Sequence, residues 1–194
     1  MTQNILVVGS INIDHVIRTS RLPQPGETIS GKEYRTFFGG KGANQAIAAA
    51  RCGANVCMIG KTGSDDFGRS ARENLIKNGV DASRIIIDPL TTTGMAMILV
   101  EDTGQNMIAV VGGANMQLSA QDIEAAAAAF KNASLLIIQL EIPLETVECA
   151  INLACQNKTH VVLNSAPGRK LPYSLLSRTN SLILNETELA LITD

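Results

Sequence analysis

The second half of the sequence alternates between short apolar runs and helical segments, and this alternation constrains the fold more than any other feature. The apolar runs lie at residues 134–139, 160–164 and 181–184, and the helical segments begin near residues 120, 143 and 173. Strands that are apolar along their whole length are typical of parallel sheets, because helices cover both faces of such a sheet. The order therefore predicts an α/β fold with a parallel sheet between two layers of helices.

The first half of the sequence has a different texture. Residues 5–8 are aliphatic and predict a buried first strand, whereas residues 18–38 contain proline, glycine and only short strand candidates. Two further apolar runs, 95–100 and 106–111, flank a turn that contains Gly104, which predicts a β-hairpin. We expect these segments to form a small β element attached to the main sheet.

Composition excludes several classes of protein. The 194 residues suffice for a domain with a hydrophobic core, and 45% of them are apolar, which excludes a disordered chain. The net charge is −2 and no block of lysine and arginine occurs, so we expect no nucleic-acid partner. Because the sequence has neither a signal-peptide pattern nor a run of about 18 apolar residues, we expect no membrane span and a cytoplasmic location. The four cysteines form no C-x-x-C pair, which indicates reduced structural thiols.

Asn12 and Asp14 follow the first predicted strand. Ligands of open α/β sheets bind beyond the carboxyl ends of the strands. A carboxylate accepts hydroxyl hydrogen bonds and an amide both donates and accepts them, so this pair suits a polyol. The alternative is a turn or a helix cap, since both residue types favour such positions.

A glycine-rich segment opens an alanine-rich helix. It reads Phe-Gly-Gly-Lys-Gly-Ala-Asn-Gln over residues 38–45, and it includes Gly40, Lys41 and Asn44. Glycines at the start of a helix let a ligand approach the free backbone N–H groups. The spacing matches neither a Walker A loop nor the dinucleotide-binding fingerprint. The alternative is a tight turn with a solvated lysine.

Polar residues follow two further predicted strands. Glu141 comes at the end of the run 134–139, and Asn185 and Glu188 come after the run 181–184. Each is well placed for a ligand. Each also has an ordinary explanation, because Glu141 suits the start of a helix and Asn185 with Glu188 suits a capping box.

Taken together, these sites resemble the ribokinase-like (pfkB) carbohydrate kinase family, and within it most closely the members that phosphorylate ribose. The motifs stand in the order expected for the family and are spread over the whole chain. They are Gly-Ser-Ile-Asn-x-Asp at 9–14, the glycine-rich segment at 39–45, Gly-Ser-Asp-Asp-Phe-Gly at 63–68, Gly-Ala-Asn at 113–115, Gln-Leu-Glu at 139–141 and Asn-Glu-Thr-Glu at 185–188.

The resemblance implies a Rossmann-like, three-layer α/β/α fold with a mostly parallel sheet and a small β-sheet lid. It also implies a role for each matching residue. Asn185 is expected to contact the phosphates of ATP, and Glu188 to organise Mg²⁺ through water. A K⁺ site is expected further along a full-length family member. The residues expected to hold the sugar are Asn12, Asp14, Gly40, Lys41, Asn44 and Glu141.

The lid implied by the resemblance comprises residues 15–38 and 94–111, and it is expected to cover the sugar and to form a homodimer contact. Alternating apolar side chains fit a lid that packs against a second copy: Met97, Leu99, Met107 and Ala109. The alternative is that these side chains pack on their own domain.

The family reaction is transfer of the γ-phosphoryl group of ATP to a sugar hydroxyl, here expected to be the 5-hydroxyl of D-ribose. The family's catalytic base is an aspartate in a Gly-Ala-Gly-Asp motif, and that motif does not occur in this sequence. We therefore assign no catalytic residue and expect the C-terminal part of the fold to be missing. Two alternatives stay open: a non-catalytic sugar-binding or dimerising module, and a kinase for fructose, a nucleoside or a keto-deoxy sugar acid.

Overall fold

The computed structural model describes residues 3–193, which form two β-sheets and the helices around them. The strands are β1 (Asn4–Val8), β2 (Asn12–Thr19), β3 (Glu33–Gly39), β4 (Asn55–Gly63), β5 (Val80–Asp88), β6 (Gly94–Glu101), β7 (Asn106–Val111), β8 (Leu135–Gln139), β9 (His160–Asn164) and β10 (Ser181–Ile183). The helices are α1 (Lys41–Arg51), α2 (Asp66–Lys77), α3 (Ala120–Ala125), α4 (Ala128–Lys131), α5 (Leu144–Gln156), α6 (Tyr173–Leu176) and α7 (Glu186–Thr193), with a short 3-10 helix at Gly113–Gln117.

The larger sheet has six parallel strands in the order β10-β9-β8-β1-β4-β5. Strand β1 lies in its interior, and successive side chains point to opposite faces. Leu6 and Val8 pack in one hydrophobic cluster with side chains of α3 to α6, and Ile5 and Val7 pack in another with side chains of α1 and α2. The predicted three-layer α/β/α architecture is therefore confirmed.

The smaller sheet is mixed, with the order β3-β2-β6-β7. Strands β6 and β7 form the predicted hairpin, with Met97 opposite Ala109 and Leu99 opposite Met107. Strand β2 follows β1 after only three residues, so the chain passes directly from one sheet into the other. None of the described helices is both long and apolar enough to cross a membrane.

The structure differs from the sequence-based expectations in two elements. The helical segment predicted to begin near residue 120 forms two short helices, α3 and α4, rather than one. The alanine run has high helix propensity throughout, so propensity does not locate this break. Strand β5 was not predicted; it pairs only with β4 at the edge of the sheet, and its polar residues Asp81 and Ser83 weaken the apolar signal.

One carboxylate joins helix α2 to the smaller sheet. Asp65 accepts the N–H of Gly68 at 2.7 Å and so caps α2. It also accepts the N–H of Thr93 at 2.8 Å and the hydroxyl of Thr93 at 2.6 Å, immediately before β6 begins. Burial alone raises the pKa of Asp65, but the hydrogen bonds from Thr93 and Gly68 outweigh burial and lower it.

We predict that Asp65→Ala lowers the free energy of unfolding by about 2 kcal/mol, because it removes a helix cap and charge-assisted hydrogen bonds. Since the pKa of Asp65 is lower in the folded chain than in the unfolded chain, this loss should be full at neutral pH. It should shrink as the pH falls through and below the ordinary aspartate range. Urea denaturation at several pH values measures both effects.

The neighbouring Asp66 provides a matched control. Its carboxylate is 88% exposed and pairs with Arg69 on the surface of the same helix. Asp66→Ala should therefore change stability little at any pH. Equal losses from Asp65→Ala and Asp66→Ala would contradict the role assigned to Asp65.

Candidate functional site

The chain segments that carry the residues expected to hold the sugar meet at the carboxyl end of β1. Strands β4 and β8 flank β1, so the ends of these strands share one edge of the sheet. The N-terminus of α1 reaches the same edge, where the N–H of Ala43 donates to the carbonyl oxygen of Ser10 at 2.9 Å. The glycine-rich segment, the β1–β2 connection and the end of β8 are therefore neighbours.

Glu141 lies at the centre of this junction. One carboxylate oxygen accepts the N–H of Lys41 at 3.0 Å and the hydroxyl of Ser10 at 2.5 Å. Helix α5 begins only at Leu144, after Pro143. The helix-start interpretation of Glu141 is thus wrong, because the carboxylate stabilises the first turn of α1 rather than that of its own following helix. The other carboxylate oxygen lies 4.0 Å from the ammonium nitrogen of Lys41.

The glycine-rich segment packs closely on the β1–β2 connection. Gly40 has a φ of 90°, in the left-handed region that glycine adopts without strain. A Cβ atom at this position would lie 2.7 Å from the backbone nitrogen of Asn12, so any side chain would push the two segments apart. The side chain of Lys41 is 39% exposed and extends towards Glu141. Asn44 is exposed on the first turn of α1.

Asn12 and Asp14 lie within β2, so they belong to neither a turn nor a helix cap, and that alternative is wrong. Two residues apart on one strand, they share a face of the smaller sheet. Asn12 is buried, and its side-chain oxygen accepts a hydrogen bond from Asn115 at 2.7 Å. Asp14 is partly buried, and its carboxylate accepts no side-chain or backbone hydrogen bond from residues 3–193.

The electrostatics of Asp14 follow from this position. Burial raises its pKa, the negative charge of Glu141 raises it further, and His15 offsets a part of the rise. An ionised carboxylate without hydrogen-bond donors in a partly buried place is poorly solvated. Hydroxyl groups of a ligand would supply the missing donors.

Asn185 and Glu188 lie beyond β10, at the start of α7. The backbone N–H of each residue donates to the side chain of the other, at 2.9 Å and 2.8 Å. The capping-box interpretation of this pair is confirmed. The pair leaves the side-chain NH₂ of Asn185 and one carboxylate oxygen of Glu188 free, so a contact with phosphates and Mg²⁺ stays a prediction.

Sequence reasoning assigned no role to two residues that hold the site together. Ser10 is fully buried and donates to Glu141, and Asn115 is buried and donates to Asn12. Both belong to recognised motifs, 9–14 and 113–115, but nothing in the sequence indicates which side chains they contact. Apolar neighbours were missed as well: Ala96 lies opposite Asp14 on β6, and Ile98 lies opposite Val16.

This arrangement offers a ligand a specific set of groups. The carboxylates of Asp14 and Glu141 accept hydrogen bonds, and the ammonium group of Lys41 donates them. Asn12 contributes its side-chain NH₂ group, because its side-chain oxygen already accepts from Asn115. Alternating acceptors and donors beside apolar side chains suit a small molecule with several hydroxyl groups.

Comparison with known proteins agrees with this geometry. The family profile described as "pfkB family carbohydrate kinase" matches residues 2–194. A ribokinase of Haemophilus influenzae is 41% identical over 193 residues, an alignment that covers 100% of this chain and 63% of the relative. A ribokinase of Staphylococcus aureus is 40% identical over 193 residues, covering 99% of this chain and 64% of the relative.

A solved structure shows the same likeness in three dimensions. The ribokinase of Arabidopsis thaliana, described as complexed with ribose and ATP, superimposes with a TM-score of 0.90 and 33% sequence identity. The alignment covers 100% of this chain and 63% of that one. The chain therefore spans less than two thirds of the length of these relatives. The profile match over residues 2–194 and the shared fold show that the chain belongs to the pfkB family of carbohydrate kinases.

Proposed function

We propose that this chain forms the sugar-binding part of a ribokinase, which transfers the γ-phosphoryl group of ATP to the 5-hydroxyl of D-ribose. The observation that carries the proposal is the Asp14 carboxylate, which is partly buried, has a raised pKa and receives no hydrogen bond from the described residues. Glu141 is near enough for its negative charge to raise that pKa, and the carboxylate oxygens of Asp14 lie against Gly39, two residues before Lys41. The names of the similar proteins support ribose as the sugar.

Each side chain has a defined part in this proposal. Asp14 and the free oxygen of Glu141 accept hydrogen bonds from sugar hydroxyls, and Lys41 donates to a hydroxyl oxygen. The exposed Asn44 side chain is available for a further hydroxyl, and Gly40 lets the N-terminus of α1 pack close to the β1–β2 connection beside the proposed sugar site. These contacts orient the sugar and hold water away from it, which is most of what a kinase contributes on the acceptor side.

In this proposal ATP and Mg²⁺ bind at a different part of the carboxyl edge of the larger sheet, beyond β10. Asn185 keeps its side-chain NH₂ free to donate to a phosphate oxygen, and Glu188 keeps one oxygen free to bind water on a metal ion. The described residues contain no group of three or more His, Cys, Asp or Glu side chains that could hold a metal ion. Glu188 would help to hold Mg²⁺ through water, and the bound ion would supply positive charge beside the phosphates. The K⁺ site and the cytoplasmic location stay expectations from the sequence.

We predict that Asp14→Asn weakens ribose binding at least tenfold, because it removes a charge-assisted hydrogen bond of about 1.5–3 kcal/mol. The same change should raise the midpoint of urea denaturation at pH 7. The raised pKa means that the ionised carboxylate opposes folding, and this cost is lost as the pH falls and the group becomes protonated. Isothermal titration calorimetry with millimolar ribose and urea denaturation measure the two effects.

Ribose affinity of the unmodified chain should fall as the pH is lowered through the raised pKa of Asp14. Asp66→Asn serves as the control, since Asp66 is exposed on α2 and should change neither affinity nor stability. A loss of ribose binding together with a loss of stability in Asp14→Asn would indicate a structural role for Asp14. Failure of the unmodified chain to bind ribose would reject the proposed function.

We predict that a polypeptide of these 194 residues binds ribose but forms no ribose 5-phosphate, because Gly-Ala-Gly-Asp is absent. Turnover at the usual kinase rate of about 1–100 s⁻¹ would contradict this. A longer polypeptide that includes the motif should phosphorylate ribose in preference to fructose and adenosine. The reverse order would favour the alternative acceptors, and ribose binding without turnover in the longer chain would favour a non-catalytic sugar-binding module.

We also propose that the smaller sheet forms a homodimer contact. Met97 and Met107 are 46% and 51% exposed, and Ala109 is exposed as well. This exposure favours a contact with a second copy over the alternative that these side chains pack on their own domain. With Leu99 they form one continuous apolar face across β6 and β7, because paired residues of neighbouring strands point to the same side.

We predict that the chain sediments as a dimer and that Met107→Lys shifts it to a monomer at the same concentration, because a charge at an apolar contact is costly. Thr103→Lys, in the turn between β6 and β7, adds the same charge outside this face and should leave the dimer intact. Analytical ultracentrifugation measures both. A monomeric unmodified chain would reject the dimer while leaving the sugar site untouched.

A further inference from the structure

Asn115 is a buried polar residue with no role in the function proposed above. It lies in the 3-10 helix that follows β7, and only 1% of its surface is exposed. Its side chain makes hydrogen bonds of 2.9 Å and 3.1 Å to the backbone of Ile11 and one of 2.7 Å to the side chain of Asn12. Such a fully bonded amide next to a ligand site has the means to orient a neighbour.

The backbone of Ile11 determines which side-chain atom of Asn115 is the oxygen and which is the nitrogen. The N–H of Ile11 can only donate, so it must meet the side-chain oxygen of Asn115. The carbonyl of Ile11 can only accept, so it must meet the side-chain nitrogen. The usual ambiguity between oxygen and nitrogen in an asparagine side chain is removed here by two backbone groups.

The orientation of the Asn115 amide in turn fixes the orientation of the Asn12 amide. The nitrogen of Asn115 donates its second hydrogen to Asn12, so the atom of Asn12 that faces Asn115 must be the oxygen. The NH₂ group of Asn12 consequently points away from Asn115 and stays available to donate. Reversal of the Asn12 amide would bring two NH₂ groups together and leave both without an acceptor.

We propose that Asn115 is a positioning residue that makes Asn12 a hydrogen-bond donor to a sugar hydroxyl. The inference rests on the proposed ribose site. A hydroxyl has one hydrogen, and a hydroxyl that donates this hydrogen to a carboxylate such as Asp14 can only accept from its other neighbour. Asn12 oriented by Asn115 is the matching donor, whereas a reversed Asn12 would present a second acceptor that the hydroxyl could not satisfy.

The start of β6 packs on the same pair of amides. A Cβ atom at Gly94 would lie 2.2 Å from the side-chain nitrogen of Asn115 and 2.3 Å from the side-chain oxygen of Asn12. The N–H of Ala114 donates to the carbonyl of Thr92 at 2.8 Å, which holds the two ends of the β6–β7 hairpin together beside the pair. The hairpin base therefore limits the space in which either amide could turn over.

The test uses Asn115→Asp, a change of nearly equal size. An ionised aspartate only accepts, so it keeps the bond from the Ile11 N–H but can bind Asn12 only if the Asn12 amide reverses. Affinities for ribose, 2-deoxyribose, 3-deoxyribose and 1,4-anhydroribitol are measured at pH 8 by NMR titration. We expect about a tenfold loss for ribose and less than about twofold for the analogue that lacks the hydroxyl bound by Asn12.

The control and a second variant separate orientation from stability. Asn132→Asp makes the same chemical change at an exposed position near the amino end of β1 and should leave all four affinities unchanged. Asn115→Ala removes the constraint without reversing Asn12, so its loss of ribose affinity should be smaller than that of Asn115→Asp. Urea denaturation establishes that each variant is folded. Equal losses for all four sugars would overturn the inference, because a merely structural defect does not distinguish one hydroxyl.

A measurement on the unmodified chain does not depend on any variant. Both hydrogens of the Asn115 NH₂ are bonded, so they should exchange slowly with solvent and shift little when ribose is added. The Asn12 NH₂ should exchange quickly without ribose and become protected with it. The opposite pattern would overturn the inference, whereas absence of ribose binding by the unmodified chain would reject the proposed function itself.

Discussion

Burial of β1 on both faces is the constraint on which the rest of the structure depends. Two layers of helices cover the strand. The short connection that follows its last residue therefore lies at the carboxyl edge of the sheet. Ser10 lies in that connection, and Asn12 begins the next strand two residues later. A strand held less firmly would not bring the glycine-rich segment, the end of β8 and the smaller sheet to one place. The apolar core thus determines where the polar chemistry of the chain can be.

The site is a network of polar groups that position one another. Glu141 binds the first N–H of α1 and the hydroxyl of Ser10, which leaves one carboxylate oxygen for a ligand. Asn115 engages one half of the Asn12 amide and leaves the other half. The Asp14 carboxylate accepts no hydrogen bond from the described residues. Burial and the negative charge of Glu141 raise its pKa. Groups whose hydrogen bonds are made within the chain hold the geometry, and groups with free hydrogen-bonding capacity are those proposed to bind the sugar.

The smaller sheet carries residues of the candidate site and also exposes apolar side chains at the surface. Its strand β2 carries Asn12 and Asp14, and β6 begins over the Asn12–Asn115 pair, so the sheet is anchored where the sugar is proposed to bind. Met97 on β6 and the apolar side chains of β7 stay exposed. Asp65 ties the same hairpin to α2. A contact between two copies through this sheet would therefore act close to the ligand.

Much of this protein was determined by the sequence alone. The apolar runs of the second half predicted the parallel sheet, because hydrophobic periodicity is a local signal. The ordered motifs identified the family. The roles of Asn12, Asp14, Lys41 and Glu141 in a sugar site stay predictions. Strand β5, the break between α3 and α4, and the partners of Glu141 and Asn12 were decided by the tertiary structure. Ser10 and Glu141 are 131 residues apart, and Asn12 and Asn115 are 103 apart. Side chains so distant in the chain meet only when the sheet is assembled, and no local pattern records which atom faces which.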